Sequence, residues 1–265
     1  MTVRLIAAAA SETGGYRASN QDAAFVAPWG VAVADGVGGG PSGDLASAAI
    51  VHRLVADGLR IAGPEDLGER IREANWDLRA HVRRDPELAG MATTFTGMFV
   101  TVAGGLLMAH SGDSRAYRLR HGQLARQTRD DSYVQALVDS GLLDQTAAAS
   151  HPRRNLITAS LTGGEADAVA VFEPDALPGD RWLLCSDGIS DYLDDEELGL
   201  LLLRHRDQGE AAAALVAEAL ANGSRDNLTA IVCDVRDGAA DGSVGATFFG
   251  SARARFQEDL EVSAS

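Results

Sequence analysis

The sequence predicts an α+β fold in which antiparallel sheets are covered by helices within one domain. Three observations carry the prediction. Apolar runs come in closely spaced pairs: Ala23 to Ala27 with Gly30 to Ala34, Thr94 to Ala103 with Leu106 to Ser111, and Arg115 to Leu119 with Gln123 to Arg126. The connections carry turn residues (Pro28-Trp29-Gly30, Gly104-Gly105, Arg120-His121-Gly122), and such short links join antiparallel neighbours. Helical segments come two at a time between groups of strands, which argues against the βαβ crossovers of a parallel sheet. A chain of 265 residues, 46% hydrophobic and 23% charged, has the ordinary composition of a globular protein with a sizeable core.

Taken in order, Val3 to Ala10 reads as a first strand and Ser11 to Gly15 as a loop. The segment Arg17 to Asp22 is polar and without helical period. After the first hairpin, Ser42 to Leu59 carries Leu45, Ala49, His52 and Ala56 at helical spacing, with Ser42 as the expected N-cap. A second helix, Glu65 to Arg84, starts after Pro64 and ends at Asp85-Pro86. Beyond the next two hairpins come a short helix at Val134 to Ser140 and a surface loop at Gln145 to Asn155. Strands follow at Val169 to Glu173 and Arg181 to Ser186, then helices at Asp194 to Arg204 and Glu210 to Leu220, and a last strand at Leu228 to Val235. The domain is therefore expected over 1–235. Residues 236–265, rich in Gly, Ala and Ser, are expected as a flexible tail with at most a short helix at Ser251 to Leu260.

Composition narrows the partners. A net charge of −15 argues against nucleic acid or an anionic membrane as the main one. No run of about 18 apolar residues predicts a membrane span, and Met1 to Ala7 is too short an apolar stretch for a signal peptide. The expectation is a cytoplasmic protein. Cys185 and Cys233 lie in apolar runs and read as reduced, buried fillers rather than a disulfide framework.

The chemistry starts from Asp35. The buried-strand run Gly30 to Ala34 leads straight into Asp35-Gly36-Val37-Gly38-Gly39. A carboxylate at a strand end, then glycines that turn the backbone and leave carbonyls bare, suits a cation. Asp187 also follows an apolar run, in Ser186-Asp187-Gly188. Asp22, Asp113 and Asp226 fall at strand ends or in turns as well. Carboxylates gathered at the rim of a core raise one another's pKa, and divalent cations relieve the repulsion. All-oxygen ligands favour Mg²⁺ or Mn²⁺, and no Cys/His set has zinc spacing. Two such ions, about 3.5–4 Å apart, can share a carboxylate and turn a water into a nucleophile, with a phosphate ester as the natural substrate. Arg17, in the loop before Asp22, is placed to clamp phosphate oxygens. Taken singly, each of these aspartates also reads as a turn residue or helix cap.

Together the motifs resemble the metal-dependent protein phosphatases, the type 2C serine/threonine family (PPM), and its small bacterial members most closely. They occur in that family's order: Arg17-x-x-Asn20-Gln21-Asp22, Asp35-Gly36-Val37-Gly38-Gly39, Gly90-Met91-Ala92-Thr93-Thr94, Gly112-Asp113-Ser114-Arg115, Asp130-Asp131-Ser132, Asn155-Leu156-Ile157-Thr158, Ser186-Asp187-Gly188 and Asp226-Asn227. The likeness covers about residues 5–235. It implies a four-layer α/β-β/α sandwich with metals at one end. It also implies two Mn²⁺ or Mg²⁺ ions with a third possible: Asp35 bridging the two, Asp187 and Asp226 on the first, Asp22 (directly or through a water) and the Gly36 carbonyl on the second, and Asp113 with Asp187 at the third. Arg17 would bind the substrate phosphate, and about 131–162 would form a flap.

The implied reaction is hydrolysis of phosphoserine or phosphothreonine by a water bridging the two ions. The implied partners are phosphorylated proteins and a serine/threonine kinase, and the implied state is a monomer. Val37 stands where some relatives carry a histidine proposed as general acid, so the leaving-group proton donor is unassigned. Two other readings compete. A catalytically silent sensor or scaffold should lack a metal aspartate or Arg17, and none is missing. An aspartyl-nucleophile phosphatase calls for Asp-x-Asp, and Val33 occupies the first position.

Overall fold

The computed structural model of the chain describes residues 2–37, 42–56, 60–148 and 150–255. Gly38 and Gly39, the expected last turn of the first helix to Leu59, and the chain beyond 255 lie outside the described residues. The elements in order are β1 (Val3–Glu12), β2 (Asp22–Ala27), β3 (Gly30–Val37), α1 (Gly43–Ala56), α2 (Pro64–Arg84), β4 (Ala92–Thr93), β5 (Phe95–Val100), β6 (Leu106–Ser111), β7 (Arg115–Arg120) and β8 (Gln123–Arg126). They continue with α3 (Tyr133–Asp139), α4 (Gln145–Ala148), β9 (Ala170–Phe172), β10 (Arg181–Cys185), α5 (Asp187–Ser190), α6 (Asp195–Arg204), α7 (Gln208–Ala221), β11 (Leu228–Asp237), β12 (Thr247–Gly250) and α8 (Ser251–Arg255).

The strands form two sheets whose named ladders are all antiparallel. One runs β1-β11-β10-β7-β8; the other runs β12-β2-β3-β5-β6-β9, with β4 paired to β3. The side-chain period of two divides each strand between two cores. On β10, Trp182 and Leu184 point between the sheets, while Leu183 and Cys185 point outward against α6 and α7. On β11, Ile231, Cys233 and Val235 join the inter-sheet core, and Leu228, Ala230 and Val232 join the outer one. The same division on β2 and β3 sends Ala24, Val31 and Val33 inward and Phe25, Ala32 and Ala34 against α1 and α2. Both faces of these strands are covered, so they read as unbroken apolar runs rather than alternating ones. The order of layers is helix, sheet, sheet, helix, as expected. Each fully buried Leu, Val or Met in these layers contributes roughly 1.5–3 kcal/mol. The fully buried Trp182 is the bulkiest side chain between the sheets.

The expected hairpins form. Pro28 and Trp29 link β2 to β3, and His121 and Gly122, both at positive φ (53° and 78°), link β7 to β8 as a left-handed two-residue turn requires. The predicted strand Thr94 to Ala103 forms over Phe95–Val100 as β5; the short β4 precedes it, and Thr94 between the two turns its side chain to the site described below. The loop expected at Gln145 to Asn155 begins with the single turn α4. No helix among the described residues is long and apolar enough to cross a membrane.

The largest departure concerns 236–265. Its described part is not a loose tail. β11 continues to Asp237, β12 pairs with β2 from Thr247↔Val26 to Gly250↔Ala23, and α8 follows directly. The physical reason is pairing. β2 needs a neighbour on its open edge, and Phe248 and Phe249 supply apolar faces to the outer and inner cores, respectively. The short helix expected at Ser251 to Leu260 is seen over Ser251–Arg255, and its remainder lies outside the described residues.

Candidate active site

One end of the sandwich gathers the predicted residues from separate elements. Asp22 opens β2 and pairs across the ladder with Asp35 near the end of β3. Asp113 lies in the β6–β7 turn, Asp187 follows β10, and Asp226 precedes β11. A cleft of about 480 Å³ is lined by Arg17, Asp35, Gly36, Asp113, Asp187 and Asp226, with Asn155, Leu156 and Ile157 of the flap across from them. Asp22 is the exception: it is fully buried beneath the cleft rather than on its wall.

Local backbone chemistry fixes each group. The Asp35 amide donates to Thr94 Oγ1 at 3.0 Å, and its carbonyl accepts from the Thr94 amide (2.8 Å) and the Thr93 hydroxyl (2.9 Å). The two threonines therefore hold the peptide of Asp35. Asp187 begins a turn of helix directly after β10. Gly188 next to it is required, because a Cβ there would lie 1.9 Å from the Asn227 carbonyl oxygen. Asn227 fastens the loop that carries Arg17: its Oδ1 accepts from the Gln21 amide at 2.9 Å, and its Nδ2 donates to the carbonyls of Thr13 (2.9 Å) and Ser19 (3.0 Å). Arg17 reaches across to Asp226 at 2.7 Å while its side chain stays 47% exposed.

The electrostatics are those of crowded acids. Burial first, then Asp22, Asp187, Asp113 and Asp226, pushes the Asp35 carboxyl well above its ordinary range. Burial, followed by Asp113, Asp191, Asp226 and Asp22, does the same to Asp187. Burial raises Asp22 to about 6, against a lowering hydrogen bond from Ser186. Asp113 rises to about 7 through burial and then Asp130 and Asp191. Burial works against charge on Arg17, but Asp226, backed by Asp35 and Asp187, holds its pKa above the usual range.

The donor set fits a hard divalent cation. It is all oxygen. Oδ1 of Asp22 and Oδ1 of Asp187 are buried and have no hydrogen-bond partner, which is the state a missing positive charge would leave. Among the described residues no three acidic, His or Cys side chains already close around one point. Instead Asp226 is drawn to Arg17 and Asp22 Oδ2 accepts from Ser186 Oγ at 2.8 Å.

The structure also brings in groups that the sequence left unassigned. Ser186 serves Asp22, although its only signal was adjacency to Asp187. Asp191 reaches the site by lying one helical turn past Asp187. Asp130 takes the guanidinium of Arg115 (Nη2 to Oδ2, 2.8 Å) and of Arg126. The flap is fastened at its stem. The Gly112 amide donates to Asp131 Oδ2 (3.0 Å), the Asp131 amide to the Gly112 carbonyl (2.7 Å), and the Thr158 amide to the Asp131 carbonyl (2.7 Å). His110 is occupied, with Nδ1 at 2.9 Å from Thr96 Oγ1 and Nε2 at 2.9 Å from the Arg129 carbonyl. No histidine is among the described residues that line the cleft.

A helix-flanked pair of antiparallel sheets with acidic groups at one end defines a class. The protein phosphatase 2C family profile matches residues 16–232, and the chain belongs to that family. Among individual proteins, it is 40% identical over 241 residues to the serine/threonine protein phosphatase PstP of Mycobacterium tuberculosis (strain ATCC 25618 / H37Rv), covering 89% of this chain and 46% of that one. The chain thus spans about half the length of the curated relatives it matches first. It is 30% identical over 212 residues to the serine/threonine phosphatase stp of Listeria monocytogenes, covering 77% of this chain and 83% of that protein. The crystal structure of M. tuberculosis PstP/Ppp superposes with a TM-score of 0.82 at 38% identity, over 88% of this chain and all of that one. A second structure, the PstP catalytic domain in complex with two manganese ions, gives 0.79 at 38% identity over 89% of this chain and all of that one.

Proposed function

We propose that the chain is a protein serine/threonine phosphatase that hydrolyses phosphoserine and phosphothreonine with two Mn²⁺ or Mg²⁺ ions. The observation that carries this is the convergence of Asp35, Asp113, Asp187 and Asp226 with Arg17 on one open cleft, above the buried Asp22. Asp35, whose carboxyl lies in the field of all four other aspartates, would hold both ions in this reading. Asp187 and Asp226 serve the first ion, and Asp22 with the Gly36 carbonyl the second. Asp113 with Asp187 offers the third position. The ions would supply an activated water and neutralise charge on the phosphoryl oxygens. The chain's own residues supply position: the threonines hold Asp35, Asn227 holds the Arg17 loop, and the flap stem holds Gly112 beside Asp113.

Arg17 is the phosphate clamp. Its half-exposed guanidinium already faces a carboxylate across the cleft and can turn to a phosphoryl group. With Val37 at the histidine position, the leaving oxygen draws its proton from water in the open cleft. Phosphorylated proteins are the proposed substrates and a serine/threonine kinase the enzyme opposed, with the protein acting as a cytoplasmic monomer. The catalytic unit includes β12 and α8.

The test is phosphate release from a phosphothreonine peptide with Mn²⁺, with Mg²⁺ and with EDTA, beside Asp187→Asn. Release that needs metal and is lost in the variant is expected. Release that survives EDTA and the variant would sink the mechanism. No release from folded protein that still binds Mn²⁺ would favour the silent sensor instead.

A further inference from the structure

The segment after β11 lies beyond the residues that the family profile matches, and it reaches the metal end of the sandwich. β12 lies along β2 and ends at Gly250, opposite Ala23. Gly250 has φ of +61°, and a Cβ there would lie 2.2 Å from the Asp22 carbonyl oxygen, so only glycine lets the chain pass so close. The next residue, Ser251, is 2% exposed, and its hydroxyl lies 3.0 Å from both the Asp22 carbonyl oxygen and Ser47 Oγ. Ser47, fully buried in α1, stands 2.5 Å from the Gln21 carbonyl oxygen. Each hydroxyl has one proton. With the Ser47 proton given to Gln21, the Ser251 proton is the one that remains for the Asp22 carbonyl.

The segment is itself tied down on the far side. His52 Nε2 lies 2.7 Å from the Ala252 carbonyl, the His52 and Phe248 rings stack at 4.1 Å, and Arg255 pairs with Asp44 at 2.7 Å. Trp29 Nε1 donates to the Val244 carbonyl at 2.9 Å and holds the connection leading in. Asp22 is thereby fixed at every polar atom but one. Its amide donates to Asn20 Oδ1 (3.1 Å), its carbonyl accepts from Ser251, Oδ2 accepts from Ser186, and Oδ1 is left bare. Buried hydroxyls are costly unless they bond, so where they bond is informative. These two bond to the carbonyls of Gln21 and Asp22.

We infer that Gly250 and Ser251, carried by the appended strand and helix, are positioning residues that aim Asp22 Oδ1 at the second ion. This rests on the reading of Asp22 as a ligand of that ion. A group that orients a ligand typically governs metal affinity by about 10–100-fold.

The test titrates Mn²⁺ calorimetrically into the metal-free full chain and into Ser251→Ala, Gly250→Ala, Ser251→Thr and Asp22→Asn. Leu215→Ala, in the distant α7, serves as a control that only destabilises. Amide exchange in the metal-free proteins is followed at residues 22–24. Ser251→Ala is expected to weaken one of two ions about tenfold and to speed exchange at 22–24. Ser251→Thr, which keeps the hydroxyl, should restore the affinity, and Leu215→Ala should lower the melting temperature while leaving both ions bound as before. Two unchanged ions in Ser251→Ala and Gly250→Ala would overturn the inference. So would equal weakening of both ions in step with melting temperature. Wild-type protein that binds no Mn²⁺, or Asp22→Asn that binds both ions normally, would overturn the ligand reading and this inference with it.

Discussion

Asp35 sits on the floor of the cleft with four other carboxylates around it, and the folded chain bears their repulsion until something positive arrives. Asp35→Asn removes one acid, and the cost of burying it, from that group. In EDTA the variant should therefore melt higher than the wild type, by about 2–4 °C for each kcal/mol relieved, while Mn²⁺ should no longer raise its melting temperature. A variant that melts lower in EDTA would contradict the crowding argument. The pH dependence has a definite sign. Asp113, at about 7, and Asp22, at about 6, keep a proton in the folded chain where the unfolded chain has lost it. The folded state then binds more protons, so their contribution to stability is lost as pH rises through these values. His110, lowered from 6.5 chiefly by burial, opposes this only below its ordinary value. From pH 6.5 to about 8 the melting temperature in EDTA should thus fall, and saturating Mn²⁺ should flatten or reverse the slope. At this scale the sequence was highly legible. Asp35 and Asp187 each end a fully apolar run, which is a local signal. Ser186 on Asp22 was not legible as a partner, because the contact closes across 164 residues of chain, and Asp130 on Arg115, 15 residues on, meets it only once the β7–β8 hairpin has formed.

The elements divide in the same way. α6 was readable from its start: Asp194 accepts from the amides of Glu196 (3.0 Å) and Glu197 (2.9 Å), and Glu197 accepts from the Asp194 amide (2.9 Å), a complete capping box. Asp194→Ala should cost about 1 kcal/mol, seen in thermal melting, with hydrolysis unchanged because α6 sits away from the cleft floor. A large loss of activity at unchanged stability would give α6 a role not described here. The β7–β8 hairpin was readable from His121-Gly122. β12 was not. Its neighbours from Gly238 to Ala246 are mostly Gly and Ala, and its justification is the open edge of β2, more than 220 residues earlier. α5 was too short to show a period, and the flap turn α4 likewise.

For the molecule as a whole, the charge of −15 sets a long-range field in which the cleft is one acidic region among several. Phosphopeptides flanked by Lys or Arg should be hydrolysed with a higher kcat/KM than ones flanked by Glu, and the gap should narrow as salt is raised. An equal rate at low salt would mean that Arg153 and Arg154, the two arginines of the flap, offset the net field locally. The fold class was legible from hairpins alone, but the four layers followed only from the family resemblance, since the two-sided burial of β10 and β11 erases the alternation that would have revealed which face meets which. That same burial has a practical consequence. Cys185 and Cys233 are fully enclosed on opposite faces of their sheet, and burial pushes the Cys185 thiol up to about 12 and raises Cys233 as well. Neither offers a thiolate to an electrophile while the protein is folded. A single cysteine placed on the exposed flap, as in Ala147→Cys, would be the one position a maleimide dye can find, so whether the flap moves when metal or substrate is added could be followed by fluorescence with both native cysteines left in place.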